Sequence, residues 1–63
     1  MKTGIVKFFS EEKGYGFITI DGEVGDVFTH ISEVKYNIKE RDKVSFEIEE
    51  ENNRKRAINV TLL

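Results

Sequence analysis

The sequence predicts an all-β domain whose five short strands curl into an antiparallel Greek-key barrel. Apolar and polar residues alternate with period two over several short segments, as they do in strands that bury one face. Turn signals and charged runs separate these segments, and none of them reads as a long helix. At 63 residues the chain is one small domain, taken as residues 1–63, and an open sheet of this size exposes too much edge unless it nearly closes. A five-stranded Greek-key barrel solves that problem and commonly offers the face of its second and third strands to oligonucleotides.

The first strand is expected over residues 4–10, with Val6 and Phe9 inward and Lys7 and Phe8 outward. Strict alternation fails between Phe8 and Phe9, where a bulge is expected. Ser10-Glu11-Glu12-Lys13-Gly14 is a polar turn. The second strand, residues 15–20, sets Tyr15 and Phe17 on one face and Gly16 and Ile18 on the other. One face is thus an aromatic plate, and the other is compact and apolar. Asp21-Gly22-Glu23 is a turn that Gly25 extends.

In the third strand, residues 26–31, Val27 and Thr29 share one face and Phe28 and His30 the other. Antiparallel pairing with the second strand places Phe28 and His30 beside Tyr15 and Phe17. Residues 32–38 read as one helical turn with Ser32 as its N-cap, too short to stand alone. After the charged turn Glu40-Arg41-Asp42-Lys43, residues 44–49 alternate cleanly with Val44, Phe46 and Ile48 inward. Residues 50–56 are expected to form a polar connection, and Ile58, Val60 and Leu62 to face inward from the last strand.

Composition narrows the function. With no Cys there is no disulfide or thiolate metal site, and a lone His makes no zinc site without other good ligands. No signal peptide or membrane-spanning run is legible, so a cytoplasmic protein without a membrane partner is the expectation. Ten basic and 12 acidic residues give a net charge of −2. That balance argues against a protein gripping duplex DNA through many phosphate contacts, but not against one that holds single strands by stacking.

The rings carry the functional argument. Val6, Phe9, Ile18, Ile20, Val27, Val44, Phe46, Ile48, Ile58, Val60 and Leu62 already supply a core for a small barrel. Adding Phe8, Tyr15, Phe17 and Phe28 would overfill it. Lys7 and Lys13 adjoin the plate as candidate phosphate contacts. Residues 13–17, Lys-Gly-Tyr-Gly-Phe, match the first ribonucleoprotein motif, with Ile18 in place of its Val. His30 has no legible nucleophile or orienting partner, so stacking or hydrogen bonding is expected of it rather than catalysis. Arg54, Lys55 and Arg56 either extend the binding path or offset the acidic run from Glu47 to Glu51, and the sequence leaves both readings open.

With both aromatic strands placed, the chain resembles a bacterial cold-shock domain over nearly its whole length. The resemblance rests on Gly4-x-Val6-Lys7-Phe8-Phe9, Lys13-Gly14-Tyr15-Gly16-Phe17-Ile18 and Asp26-Val27-Phe28-Thr29-His30-Ile31-Ser32. Val44-Ser45-Phe46-Glu47-Ile48 and Ala57-x-Asn59-Val60 complete it. It implies an oligonucleotide-binding (OB) barrel that holds single-stranded RNA and DNA, with RNA-chaperone or antitermination activity and no catalysis. Lys7, Phe8, Phe9, Lys13, Tyr15, Phe17, Phe28 and His30 match family positions that contact nucleic acid.

The chain also departs from the pattern. Phe8 stands where the family often has Trp, Ile31 where many members have Phe, and Ser10 where Asn is frequent. The loop over residues 32–44 is short and lacks the usual Gly-Phe-Lys, with Tyr36 as a loose substitute for that Phe. Arg54-Lys55-Arg56 occupies the place of a usual Gly-Pro-Gln. No loop suited to a nucleoside triphosphate is present, since Gly14-Tyr15-Gly16 is not followed by Gly-Lys-Ser/Thr, and no small-molecule cofactor is implied. A monomer is the default. The rival class is a barrel that uses the same aromatic face as a docking patch for a protein partner.

Overall fold

The computed structural model describes residues 1–35 and 37–63. Its strands are β1 (Lys2–Ser10), β2 (Tyr15–Ile20), β3 (Asp26–His30), β4 (Lys43–Glu51) and β5 (Arg54–Leu62), closed in the order β1-β2-β3-β5-β4. A single 3₁₀ turn, Ile31–Glu33, follows β3. Four of the strand pairs are antiparallel, and β3 with β5 is parallel. The expected barrel is present, but a wholly antiparallel one is geometrically impossible. Direction must alternate around the ring, and an odd number of strands leaves one neighbouring pair pointing the same way.

Val6, Ile18, Val27, Ile38, Val44, Phe46, Ala57 and Val60 fill the barrel, with Phe46 fully enclosed. Phe9, Ile20, Val34 and Ile48 pack against them from the rim. The buried polar side chains are paired, as buried hydroxyls must be. Thr29 Oγ1 donates to the Ala57 carbonyl at 3.1 Å, and Ser45 Oγ meets Thr61 Oγ1 at 2.9 Å.

The β1 bulge lies between Val6 and Phe8, one residue earlier than expected. Lys7 is the extra residue, so Phe8 lands opposite Phe17 and Phe9 opposite Gly16. A side chain at Gly16 is sterically barred, because a Cβ there would run into the Phe8 carbonyl oxygen. The glycine lets β1 and β2 approach closely enough to share their outer faces.

The last strand also departs from simple alternation. Ala57 and Val60 point inward, Ile58 is half-buried, and Leu62 is 42% exposed. Between Ser45 and Glu47, β4 advances two residues while β5 advances three, and Asn59 takes up the extra residue at φ 52°. Asn tolerates that left-handed conformation better than the branched residues beside it. Residues 50–56 are not a loose connection. They form a tight hairpin whose two turn residues, Asn52 and Asn53, have φ of 50° and 63°, the positive values a type I′ turn needs.

The expected helical turn over 32–38 shrinks to Ile31–Glu33, and its N-cap is His30 rather than Ser32. His30 has extended backbone, φ −90° and ψ 149°, and its ring accepts a hydrogen bond from the Ser32 N–H. Residues 37–42 then fold back on β1. Val6 N–H donates to the Asp42 carbonyl at 2.9 Å, Arg41 N–H donates to the Val6 carbonyl at 2.7 Å, and Ile38 enters the core. Reading residues 32–38 as a helical turn leaves Ile38 out of the predicted core.

Candidate nucleic-acid interface

Pairing brings the plate together. β1 sets Phe8 opposite Phe17, and β3 sets Phe28 opposite Phe17 and His30 opposite Tyr15. Directly opposed residues in an antiparallel pair point to the same side, so all five side chains emerge on one outer face of the barrel. Tyr15 is the hub. Its ring centroid lies 6.1 Å from Phe8, 6.0 Å from Phe17 and 5.8 Å from Phe28, the last nearly stacked at 25°. Phe17 and Phe28 meet edge to face at 5.9 Å and 73°. These offset and edge-on geometries are the ones ring quadrupoles favour.

The rings support one another without being covered. Phe17 stays 37% exposed and Phe28 36%, on strands whose inward neighbours Ile18, Val27 and Thr29 are buried. Mutual packing limits the rotamers of each ring, so a flat ligand laid on them has less side-chain freedom left to freeze. A rigid, exposed cluster of aromatic faces is chemically a stacking surface.

The cations are placed less uniformly. Lys7, on the bulge, pairs with Asp26 at Nζ–Oδ2 3.0 Å. Asp26 also accepts from Thr19 Oγ1 at 2.8 Å. The Lys7 hydrogen bond, helped by Thr19, holds the Asp26 carboxyl below its ordinary value. Lys7 must therefore exchange a carboxylate for any phosphate it meets. Lys13 is exposed on the β1–β2 turn and has no ion-pair partner among the described residues. Its turn is braced by Lys13 N–H donating to Ser10 Oγ at 3.1 Å and by Ile31 N–H donating to the Gly14 carbonyl at 2.9 Å. That second bond ties the Lys13 turn to the end of β3, next to His30.

Phe9 stands apart from the ring cluster. It packs against the core and lines a separate groove with Ile31, Val34 and Lys35. Tyr36 lies outside the described residues. A larger groove of about 700 Å³ flanks Phe28, lined by Arg54, Lys55, Arg56, Glu51 and Asn52. Sequence reading placed that basic triplet in a loop and left open whether it extends the binding path or offsets the acidic run. The register that sets it beside the plate, Phe28 opposite Arg56, joins parallel strands far apart in the chain and leaves no local signal. Arg56 is not a free cation, because its Nε donates to Glu49 Oε1 at 3.0 Å. That bond and the Glu49 charge push the guanidinium further toward its charged form.

A closed five-stranded barrel with an exposed aromatic plate on its second and third strands is the architecture of a nucleic-acid-binding OB barrel. The comparisons with known proteins agree. The family described as "'Cold-shock' DNA-binding domain" matches residues 2–63, and the chain belongs to that nucleic-acid-binding family. Major cold shock protein CspA of Bacillus cereus is 49% identical over 65 aligned positions, covering 97% of this chain and 96% of that protein. The Major cold shock protein of Micrococcus luteus is 42% identical with both chains covered completely. Among solved structures, drosophila Unr CSD456 superposes with a TM-score of 0.83 at 26% identity, covering 98% of this chain and 26% of that one. Among the described residues, no helix is long and apolar enough to cross a membrane.

Proposed function

We propose that this chain binds single-stranded RNA and DNA by stacking bases on Phe8, Tyr15, Phe17 and Phe28, with His30 at the edge of the plate. The observation that carries the reading is the four-ring cluster, mutually packed and open on one face. Every base has a π-face, so such a plate is tolerant of sequence. Lys13 contributes a phosphate contact, and Lys7 does so after releasing Asp26. Phe9 contributes from the neighbouring groove that it lines with Ile31, Val34 and Lys35.

A protein of this kind melts weak RNA structure by trapping the open strand, without ATP, and so acts as an RNA chaperone or transcription antiterminator in a cold-shock-type response. It works as a cytoplasmic monomer, neither an enzyme nor cofactor-dependent, within the single domain of residues 1–63. The test is fluorescence anisotropy with labelled heptathymidine and a mixed RNA strand at two salt concentrations, against a duplex of the same length. Single-strand binding with a shallow salt slope and no duplex binding is the expected result. Failure to bind either strand overturns the reading and favours a protein partner for the aromatic face.

A further inference from the structure

One outward row of side chains crosses all five strands. Phe8 on β1 is opposite Phe17 on β2, Phe17 is opposite Phe28 on β3, Phe28 is opposite Arg56 on β5, and Arg56 is opposite Glu49 on β4. Opposed residues in paired strands share a face. The next position of the β3–β5 pair fixes which face: Thr29 and Ala57 are both fully buried, so Phe28 and Arg56 point out. Three rings thus lead to a guanidinium, and the guanidinium leads to a carboxylate. Arg56 Nε donates to Glu49 Oε1 at 3.0 Å, and Nη2 donates to the same oxygen. Phe28 and Arg56 also line one groove, together with Arg54, Lys55 and Glu51.

The groove is less basic than its triplet suggests. Residues 47–56 hold four acids, Glu47, Glu49, Glu50 and Glu51, against three bases, Arg54, Lys55 and Arg56, a net charge of −1. A phosphate arriving at Arg56 meets donors already engaged at Nε and Nη2. Beside them it meets a carboxylate of its own sign, which stays in place after the pair is broken. An exposed ion pair is weak enough to exchange, but here the exchange trades one anion for another and leaves the first as a repulsive neighbour.

We propose that Glu49 is an autoinhibitory contact of the strand-binding face, competing with backbone phosphate for Arg56, so that the cation bordering the ring row adds little to the hold on a bound strand. The inference rests on the single-strand reading above and concerns what limits that binding. For Arg56 it decides between the two readings the sequence left open, in favour of offsetting the acidic run. Affinity is left to the rings, which serve only strands with free bases.

The test is a double-mutant cycle in the full chain, read by anisotropy with labelled heptathymidine at two salt concentrations, with thermal melting of every variant to confirm folding. Glu49→Gln keeps the size of the side chain and removes its charge. It is expected to bind about two- to fivefold more tightly at low salt, the effect of one exposed ion pair. Its salt slope should steepen by about 0.7, that of one further phosphate. Arg56→Gln should leave the parent's affinity nearly unchanged, and should abolish the gain in the Glu49→Gln background. A Glu49→Gln variant that binds no more tightly than the parent overturns the proposal. So does an Arg56→Gln loss as large in the parent as in the Glu49→Gln background, because Arg56 would then already hold the strand. Glu40→Gln makes the same change of net charge at an exposed turn outside the row. An equal gain there would assign the effect to net charge alone and end the proposal. A parent that does not bind heptathymidine at all fails the single-strand reading itself, a result distinct from a parent that binds and a Glu49→Gln variant that gains nothing.

Discussion

The plate on β1 to β3 and the hairpin of β4 and β5 are both exposed, yet they satisfy their side chains in opposite ways. Across the hairpin, Glu49, Glu50 and Glu51 oppose Arg56, Lys55 and Arg54, each acid opposite a base. One of these pairs closes as an ion pair, with Arg56 Nε donating to Glu49 Oε1 at 3.0 Å. The plate instead leaves rings partly exposed, Phe17 by 37% and Phe28 by 36%, beside a core that other residues fill. Exposed apolar surface held rigid by its own neighbours points to an external partner, whereas exposed acids set opposite bases of the same hairpin do not.

Substitutions can break this contrast, and the severest acts beneath both regions. Phe46→Ala empties the centre of the barrel and is expected to cost about 3–5 kcal/mol, enough to unfold most of a domain this small. A denaturant titration reads it, and plate and hairpin should be lost in one transition. Phe17→Ala and Phe28→Ala come next. Each should weaken single-strand binding by about 1–3 kcal/mol, while thermal melting stays close to the parent value. Equal losses of stability and binding would mean that the rings are structural, and the contrast would fall.

The smaller effects sharpen the comparison at the hairpin and at the edge of the plate. Asn53→Gly, which relieves a positive φ in the turn, should stabilise by about 0.5–1 kcal/mol without changing affinity for heptathymidine. Glu49→Gln should lower the melting temperature slightly at low salt and not at high salt, since the pair it breaks is exposed and screened. Asp26 gives a pH test. Its folded carboxyl is held below the ordinary 3.8, so its pairing stabilises the fold above that pH and is lost as pH falls through the lower, folded value. Asp26→Asn should therefore reduce stability at neutral pH and flatten the acid limb of a pH–melting curve. An unchanged acid limb would mean that the Lys7–Asp26 bond contributes nothing measurable.

The parts of the site that were legible in the chain are those governed by local periodicity. Tyr15 and Phe17 are two residues apart on one strand, as are Phe28 and His30 on the next, and the short turn between the strands makes antiparallel pairing the simple outcome. The parts that were illegible depend on residues that break the period. Lys7 and Asn59 each add one residue to a strand and shift every side chain beyond them. An apparent alternation such as Ile58, Val60, Leu62 therefore misleads once Asn59 turns left-handed, and Ala57 takes the buried place instead. Ile38 was hidden because an irregular segment carries it into the core.

From residue order alone come the all-β class, the inward and outward faces of β2 and β3, and an aromatic surface too large for the core to absorb. These follow from the two-residue repeat of an extended chain and from the volume of a small barrel. Barrel closure supplied the remainder. It imposed the one parallel pair, brought Arg56 beside Phe28 and drew Lys7 to Asp26. Each of these joins partners through hydrogen bonds or register that exist only once the strands have met, and no pattern along a single strand encodes them.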